Sequence, residues 1–175
     1  CAFDLAGLLV HCVPREFLTN DIGITARSVK GAQMDWTAMA TPWLKVEAQT
    51  DAAHAPVLDG VIARAGLSLG QKVLDIGPGG GVSLLRAADA VGPSGHVTGI
   101  EIAPPFADRA RSRVPAHVKV EVGDAQTHAF PASGFDAAVS LFGVMFFENS
   151  VAAFSNIRRA LKPGGALTLA CWASR

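Results

Sequence analysis

The sequence predicts an α/β fold with a doubly wound, mostly parallel sheet. Short apolar stretches typical of strands alternate with amphipathic stretches typical of helices from residue 73 onward. This alternation implies parallel strands joined by right-handed crossover helices. Glycine or acidic residues also follow most of the predicted strands. Because ligands of such sheets bind beyond the carboxyl ends of the strands, the sequence predicts where the site lies as well as the fold.

The stretch at residues 73–91 is the one around which the other elements are organised. Val73, Leu74 and Ile76 surround Asp75 and predict a buried parallel strand, and apolar residues at helical spacing predict a helix soon after it. The turn between them contains glycines that leave the backbone uncovered, so a small ligand can touch main-chain atoms there. These glycines are Gly77, Gly79 and Gly81.

The remaining elements follow in order. A helix is predicted over residues 51–65, with Gly66 at its end and Pro56 marking the start of its regular part. Pro104 opens a second helix that continues over residues 106–114. Asn149 or Ser150 caps a third helix, whose expected core face is Val151, Phe154, Ile157 and Leu161. Short apolar and β-branched runs predict the later strands at residues 96–101, 118–122, 135–141 and 166–172.

The predicted domain boundary lies at Met34. Residues 34–175 form one domain, whereas residues 1–33 carry no motif and are either an ordinary N-terminal arm or sequence foreign to the protein. Trp36 and Trp43 lie close together after this boundary. Such a pair fills a core, forms an interface or closes as a lid over a ligand, and the sequence does not choose among these roles.

Composition excludes several classes of function. The formal net charge is zero, so there is no electrostatic case for binding nucleic acid or an anionic membrane. The apolar patch at residues 5–13 is too short to span a bilayer. Three cysteines and five histidines show no metal-type spacing, which predicts no metal site. The scattered cysteines fit a reducing cytosol, and we expect a cytoplasmic protein.

Several motifs in order resemble class I S-adenosylmethionine-dependent methyltransferases, and in particular the type-11 methyltransferase group. They are Asp-x-Gly-x-Gly-x-Gly at residues 75–81, Phe-Gly-Val-Met-Phe-Phe at 142–147, Leu-Lys-Pro-Gly-Gly at 161–165 and Ala-Cys-Trp at 170–172. The resemblance covers the chain from Met34 onward. It implies a Rossmann-like methyltransferase sheet, S-adenosylmethionine as cofactor and a small-molecule acceptor that the motifs do not name.

The resemblance also implies roles for individual residues. Asp75 and the carbonyl groups of the glycine turn suit the cationic groups of the cofactor. Glu101 ends the second strand of the resembling region, where its carboxylate accepts hydrogen bonds from the ribose hydroxyls, and Ile102 lies against the adenine. Asp124 and the N–H of Ala125 are expected to bind the adenine edge. Phe142 is expected to enclose the sulfonium by cation–π attraction.

No catalytic residue is predicted. Methyl transfer from a sulfonium requires a positioned nucleophile and exclusion of water, and it needs a general base only if the acceptor loses a proton. His128, four residues after Asp124, is the histidine expected nearest the mouth of the site. It is either that base or an ordinary histidine of a surface loop.

Two other functions compete with this interpretation. A nicotinamide-dependent oxidoreductase needs a small residue at the sixth position of its glycine fingerprint, and Val82 occupies that position here. A non-catalytic methyltransferase-like module would bind the cofactor or a partner without turnover. Cofactor binding without methylation of any acceptor would favour the module.

The resemblance further implies that the domain is incomplete at its C-terminus. The sheet of the family has seven strands, and the strand at residues 166–172 is only the fifth of them. We therefore expect this fifth strand to be an apolar edge with unpaired backbone groups, through which the chain self-associates or aggregates.

Overall fold

A computed structural model of the protein describes residues 34–171 and, of the N-terminal segment, the backbone of residues 2–5 and 8–12. The strands are β1 (Ala2–Leu5), β2 (Leu8–Cys12), β3 (Lys72–Ile76), β4 (His96–Glu101), β5 (Val118–Val122), β6 (Phe135–Leu141) and β7 (Leu161–Ala170). The helices are α1 (Trp36–Lys45), α2 (Glu47–Ala65), α3 (Val82–Val91), α4 (Pro104–Arg111) and α5 (Ser150–Ala160), with a 3-10 turn at Gly143–Phe146.

The seven strands form one sheet in the order β1-β2-β7-β6-β3-β4-β5. Each neighbouring pair from β2 to β5 is parallel, and only the outer β1–β2 pair is antiparallel. From β3 the chain moves outward through β4 to β5, and then returns to place β6 on the other side of β3. This doubly wound arrangement confirms the predicted fold class. Its switch point lies between the carboxyl ends of β3 and β6.

Alternating residues of the strands build a core layer on each face of the sheet. On one face, Leu74 and Ile76 of β3 pack with Ile157 of α5. On the other, Val73 packs with Leu84 of α3 and with residues of α2 and α4. Asp75 shares the face of Val73, so its carboxylate points into the layer beneath the predicted glycine turn.

The prediction that the fifth strand of the family is an open edge is wrong. β7 carries that strand, and residues 166–169 of β7 pair in parallel with residues 9–12 of β2. The unpaired backbone groups invoked for self-association are therefore occupied in this structure. Trp172, which was expected to end the strand, lies outside the described residues. Among the residues that the structure describes, none of the helices is long and apolar enough to cross a membrane.

Helix boundaries differ more from prediction than strand boundaries do. α1 was not predicted, and α2 begins at Glu47, nine positions before Pro56, which lies inside the helix. Asn149 is the predicted cap of α5, since its side chain accepts from the N–H of Ala152 at 3.0 Å. However, Val151 of the expected core face is 78% exposed. The inward face of α5 is instead formed by Ala153, Ile157 and Ala160.

The Pro-Gly-Gly turn before β7 is absorbed into that strand as an irregularity. Leu161 pairs with Phe135, and regular pairing with β6 resumes only at Ala166 opposite Ala137. The residues between bulge out of the ladder, which explains why a turn signal and a strand occupy the same stretch.

Candidate functional site

The glycine turn joins β3 to α3 at the switch point. Gly77 lies against the loop that follows β6, so close that a Cβ on Gly77 would be 3.0 Å from the Cα of Gly143. Gly81 is packed in the same way against α4, and a Cβ there would be 3.0 Å from Ala110. These two glycines are therefore required for close backbone packing. Their Cβ sides are closed by neighbouring backbone, and contact of a ligand with their main-chain atoms stays a prediction.

Gly79, between these two, is the glycine that faces open space. Its φ is +55°, and a Cβ at this position would meet no described atom within 4 Å. A positive φ disfavours residues with side chains, and the open side leaves the peptide groups accessible to a ligand. Of the predicted glycines, Gly79 alone has the expected combination of conformation and access.

Asp75 is completely buried one residue before the end of β3. Within the described part of the chain, neither of its carboxylate oxygens has a hydrogen bond of ordinary geometry. Burial raises the pKa of Asp75 to about 7; the nearby hydroxyl of Ser83 opposes this rise, and the charge of Glu101 adds to it. An orphaned buried carboxylate is costly, so the site is electrostatically suited to a cationic group or a bridging water.

Glu101 ends β4, beside the glycine turn. Its Oε2 accepts from the N–H of Gly79 at 2.9 Å, and its Oε1 accepts from the N–H of Ala103 at 3.0 Å. Burial raises the pKa of Glu101, while the backbone N–H donors of Ala103, Gly79 and Ile102 oppose the rise. The carboxylate of Glu101 therefore links the end of β4 to the glycine turn by hydrogen bonds. Ile102, next to it, is exposed, as expected for a residue at a ligand surface.

Asp124 and Ala125 follow β5 and form a tight, self-contained turn. The carboxylate of Asp124 accepts from the backbone N–H of Gln126 at 2.8 Å and from its side-chain amide. The carbonyl of buried Ala125 accepts from Asn156 of α5 at 2.9 Å. These bonds fix the turn at the carboxyl edge of the sheet, but they also engage the carboxylate that was predicted to bind adenine.

Phe142 follows β6 in a backbone conformation that is unusual for its type. Its φ is +65°, in the left-handed region, where a residue with a bulky side chain is strained. Its ring lies 5.1 Å from the ring of His54 on α2, measured between centroids. Burial lowers the pKa of His54, and the charge of Asp51 partly offsets this effect. His54 thus lies beside Phe142, the residue predicted to contact the sulfonium, and no sequence motif selects it.

His128 does not lie beside Phe142 and His54 but lines a different groove. Its Nε2 is 3.2 Å from a carboxylate oxygen of Glu121, and its ring packs on Phe130. It lines a groove of about 590 Å³ with residues from the beginnings of β3 and β4, including Lys72 and His96. The interpretation of His128 as an ordinary loop histidine is therefore the better one.

Helix α1 lies across the region between α4 and the loop after β6. Trp36 packs edge-on against Phe146, with ring centroids 4.5 Å apart. Trp36 and Trp43 also pack against a small apolar cluster that contains Ala103 and Phe106. Because Ala103 follows β4 and Phe146 follows β6, the helix touches both sides of the carboxyl edge. The two tryptophans therefore form an interface that is in the right place for a lid.

An ion-pair network joins the start of α2 to α4. Arg109 donates to Glu47 at 2.6 and 2.8 Å, and Arg113 donates to Glu47 at 3.0 Å and to Asp51 at 2.9 Å. Arg113 also donates to the carbonyl of Gly80 in the glycine turn at 3.1 Å. This network was not predicted. Acids at positions 47 and 51 and arginines at positions 109 and 113 were the available signal, since both spacings place the members on one helical face.

Comparison with known proteins decides the family. The profile of a family described as "Methyltransferase domain" matches residues 73–165, which is more than half of the chain. The chain belongs to the methyltransferase domain family. The matched region begins in β3 and ends before the regular part of β7, and it includes every predicted cofactor-binding residue.

Named relatives agree with this assignment. Aklanonic acid methyltransferase DauC of Streptomyces sp. (strain C5) is 38% identical over 100 residues, or 55% of this chain and 46% of that protein. Nocamycin O-methyltransferase of Saccharothrix syringae is 38% identical over 117 residues, or 65% of this chain and 40% of that protein. A Haemonchus contortus phosphoethanolamine N-methyltransferase 2, in complex with phosphomonomethylethanolamine and S-adenosylhomocysteine, superposes with a TM-score of 0.60 at 31% identity, covering 64% of this chain and 27% of that one.

Membership in the methyltransferase domain family confirms the fold class, the methyltransferase assignment of the domain and S-adenosylmethionine as its cofactor. The matched part of this chain covers less than half the length of each of these relatives. The acceptor and the activity of the whole protein therefore do not follow from the matches.

Proposed function

We propose that this protein transfers the methyl group of S-adenosylmethionine to a small-molecule acceptor. One observation carries the proposal: Gly79, whose Cβ side is open, lies in the turn beside two adjacent parallel strands that end in the buried carboxylates Asp75 and Glu101. The carboxylate of Asp75 disfavours a pyrophosphate at this turn and favours a cofactor with an ammonium and a sulfonium, whereas an acid at the position of Glu101 is compatible with the ribose of either cofactor.

The residues fit the cofactor in chemical type. The orphaned carboxylate of Asp75 provides negative charge below the turn, for a cationic group reached directly or through a water. Glu101 keeps lone pairs for ribose hydroxyls beside its two backbone bonds. Asp124 and the N–H of Ala125 are proposed to bind the adenine edge from the turn after β5, with Ile102 as an apolar surface beside them. These roles are proposals based on residue chemistry and position.

The bound cofactor would supply an electrophilic methyl group on a sulfonium. The chain has to hold an acceptor in line with that group and exclude water. Phe142, whose backbone conformation is strained at the switch point, is proposed to contact that cation through its ring. Helix α1 supplies the apolar cover through Trp36, which contacts Phe146. Binding and shielding by these residues account for the function without an assigned catalytic side chain.

The acceptor belongs, in this proposal, to the small metabolites. Aklanonic acid and nocamycin methyltransferases, as their names state, act on small molecules, and both are 38% identical to this chain over the matched region. A cytoplasmic location stays a prediction.

Calorimetric titration with S-adenosylhomocysteine and with NADH tests the cofactor. We expect binding of the first ligand only, and the reverse result would favour a nicotinamide-dependent oxidoreductase. Transfer of labelled methyl groups to a panel of phenols, carboxylic acids and amines then tests turnover. Cofactor binding without transfer to any member of the panel would favour the non-catalytic module.

A further inference from the structure

The ion-pair network between α2 and α4 has a feature that a purely structural salt bridge lacks: it includes the backbone of the glycine turn. The Nη1 group of Arg113 donates both to Oε1 of Glu47 at 3.0 Å and to the carbonyl of Gly80 at 3.1 Å. Its Nη2 group donates to Asp51 at 2.9 Å. One guanidinium, from the turn that follows α4, therefore joins the start of α2 to the glycine turn. Because α1 directly precedes α2, we call residues 36–65 the α1–α2 lid segment.

The network is sheltered enough for its geometry to matter. The side chains of Glu47 and Arg113 are 12% and 18% exposed, so solvent screens this pair less than an exposed ion pair. Arg109 holds the second oxygen of Glu47 from the other side. With both carboxylate oxygens engaged, Glu47 has little freedom to leave the turn.

The turn is shaped to receive this contact. A Cβ on Gly80 would lie 2.2 Å from Oε1 of Glu47, so the carboxylate rests directly on the backbone of the turn. Unlike its neighbours Gly79 and Gly81, Gly80 lies outside the left-handed region. The absence of a side chain at position 80 is therefore explained by the contact with Glu47 and not by the backbone conformation.

We propose that Arg113 is a positioning residue, which sets cofactor affinity by latching the α1–α2 lid segment onto the glycine turn. The latch consists of Arg113, Arg109, Glu47, Asp51 and the carbonyl of Gly80. It holds the peptide group between Gly80 and Gly81 in one orientation and keeps α2, with α1 attached to it, against the site. The proposal rests on the proposed function, because it concerns affinity for the same cofactor.

The experiment measures binding and release of S-adenosylhomocysteine by the full chain, by calorimetry and stopped flow, at a temperature where every variant is folded. Arg113→Met should raise Kd about tenfold, mainly through faster release, because a charge-assisted contact to the turn is lost. The Kd of Arg113→Lys should fall between those of wild type and Arg113→Met, since one ammonium cannot reproduce the planar guanidinium contacts. Gly80→Ala should raise Kd without removing a charge, because the added methyl displaces Glu47.

Arg86→Met is the matched control. Arg86 pairs with Asp59 and so also joins α2 to a neighbouring helix, but it makes no contact with the turn. The Kd of Arg86→Met for S-adenosylhomocysteine should stay within about twofold of wild type, because exposed ion pairs contribute little to stability. A merely structural role for Arg113 would lower the unfolding temperature while Kd and the release rate of the folded protein stayed unchanged.

The outcomes separate the two proposals. Binding by the wild type with unchanged Kd and release rate in both Arg113→Met and Gly80→Ala would overturn the latch alone. If Arg113→Met does not fold, Gly80→Ala decides the matter in the same way. A wild-type protein that does not bind S-adenosylhomocysteine would overturn the proposed function, and the latch as a determinant of affinity with it.

Discussion

Replacement of Asp75 by asparagine should make the ligand-free protein more stable at alkaline pH. Burial raises the pKa of Asp75 from 3.8 to about 7. A carboxyl whose pKa is higher in the folded state favours folding at low pH, and this contribution is lost as the pH rises to the folded-state pKa. Each pKa unit is worth 1.36 kcal/mol, so the rise of about 3 units lowers the free energy of unfolding by roughly 4 kcal/mol at pH 8, relative to low pH. At pH 5 the loss is only about 2 kcal/mol, because the carboxyl is still protonated in the folded state.

The measurement is urea unfolding of wild type and Asp75→Asn at pH 5 and pH 8. The variant does not titrate, so the free energy of unfolding of Asp75→Asn relative to wild type should increase by about 2–3 kcal/mol between the two pH values. Taking this difference between pH values cancels the change in packing that the amide introduces. The same variant should bind S-adenosylhomocysteine more weakly, because a neutral amide does not attract an ammonium.

Asp136→Asn provides a control at a carboxyl whose pKa is shifted in the opposite direction. A hydrogen bond from Lys162 lowers the pKa of Asp136, so its contribution to stability is complete at both pH 5 and pH 8. Its effect on the free energy of unfolding should be the same at the two values. If Asp75→Asn also showed equal effects at pH 5 and pH 8, the buried carboxyl would not carry the desolvation cost inferred here.

Three further variants test individual residues of the site. Glu101→Ala should weaken S-adenosylhomocysteine binding at least about tenfold in calorimetry, because charge-assisted hydrogen bonds are lost; wild-type affinity would rule out the ribose role. Gly79→Val should keep the circular dichroism of the wild type but abolish cofactor binding, since its side chain would occupy the open side of the turn at a φ of +55°; equal binding would mean that the loop is only a turn. Phe142→Leu should weaken S-adenosylmethionine by about 2–30-fold, the range expected for a lost cation–π contact, while leaving the uncharged S-adenosylhomocysteine nearly unaffected; equal losses for both ligands would assign Phe142 to packing.

The sheet and its marked edge were predictable because their signals are local. A buried parallel strand is an apolar run, and the turn after it must solve a local backbone problem, so Gly79 and Glu101 could be placed from short windows. The lid and the latch were not predictable in this way. Glu47 and Arg113 lie 66 residues apart, and only the folded chain brings them together.

Two errors came from competing local rules. The sequence predicts that the regular helix begins at Pro56, yet α2 already has nine residues before this proline. A proline removes only one backbone donor, and neighbouring packing compensates for this loss. Consequently Glu47, Asp51 and His54 were not seen to share one face of a helix. Asp124 shows the opposite problem: its position at the strand end was right, but Gln126 engages its carboxylate, an interaction that strand spacing does not reveal.

The contact between Gly77 and Gly143 has a consequence for how the site is made during folding. Ser140 of β6 donates to the carbonyl of Ile76 across 64 residues of sequence, and this bond fixes β6 beside β3. Closing so long a loop carries an entropic cost that must be met before the two turns can touch. During synthesis the glycine turn forms before the loop after β6, against which it packs. That loop becomes available only when residue 143 has left the ribosome. The cofactor site is therefore incomplete until β6 and the loop after it have formed, so the cofactor can stabilise the finished sheet but cannot guide its early assembly.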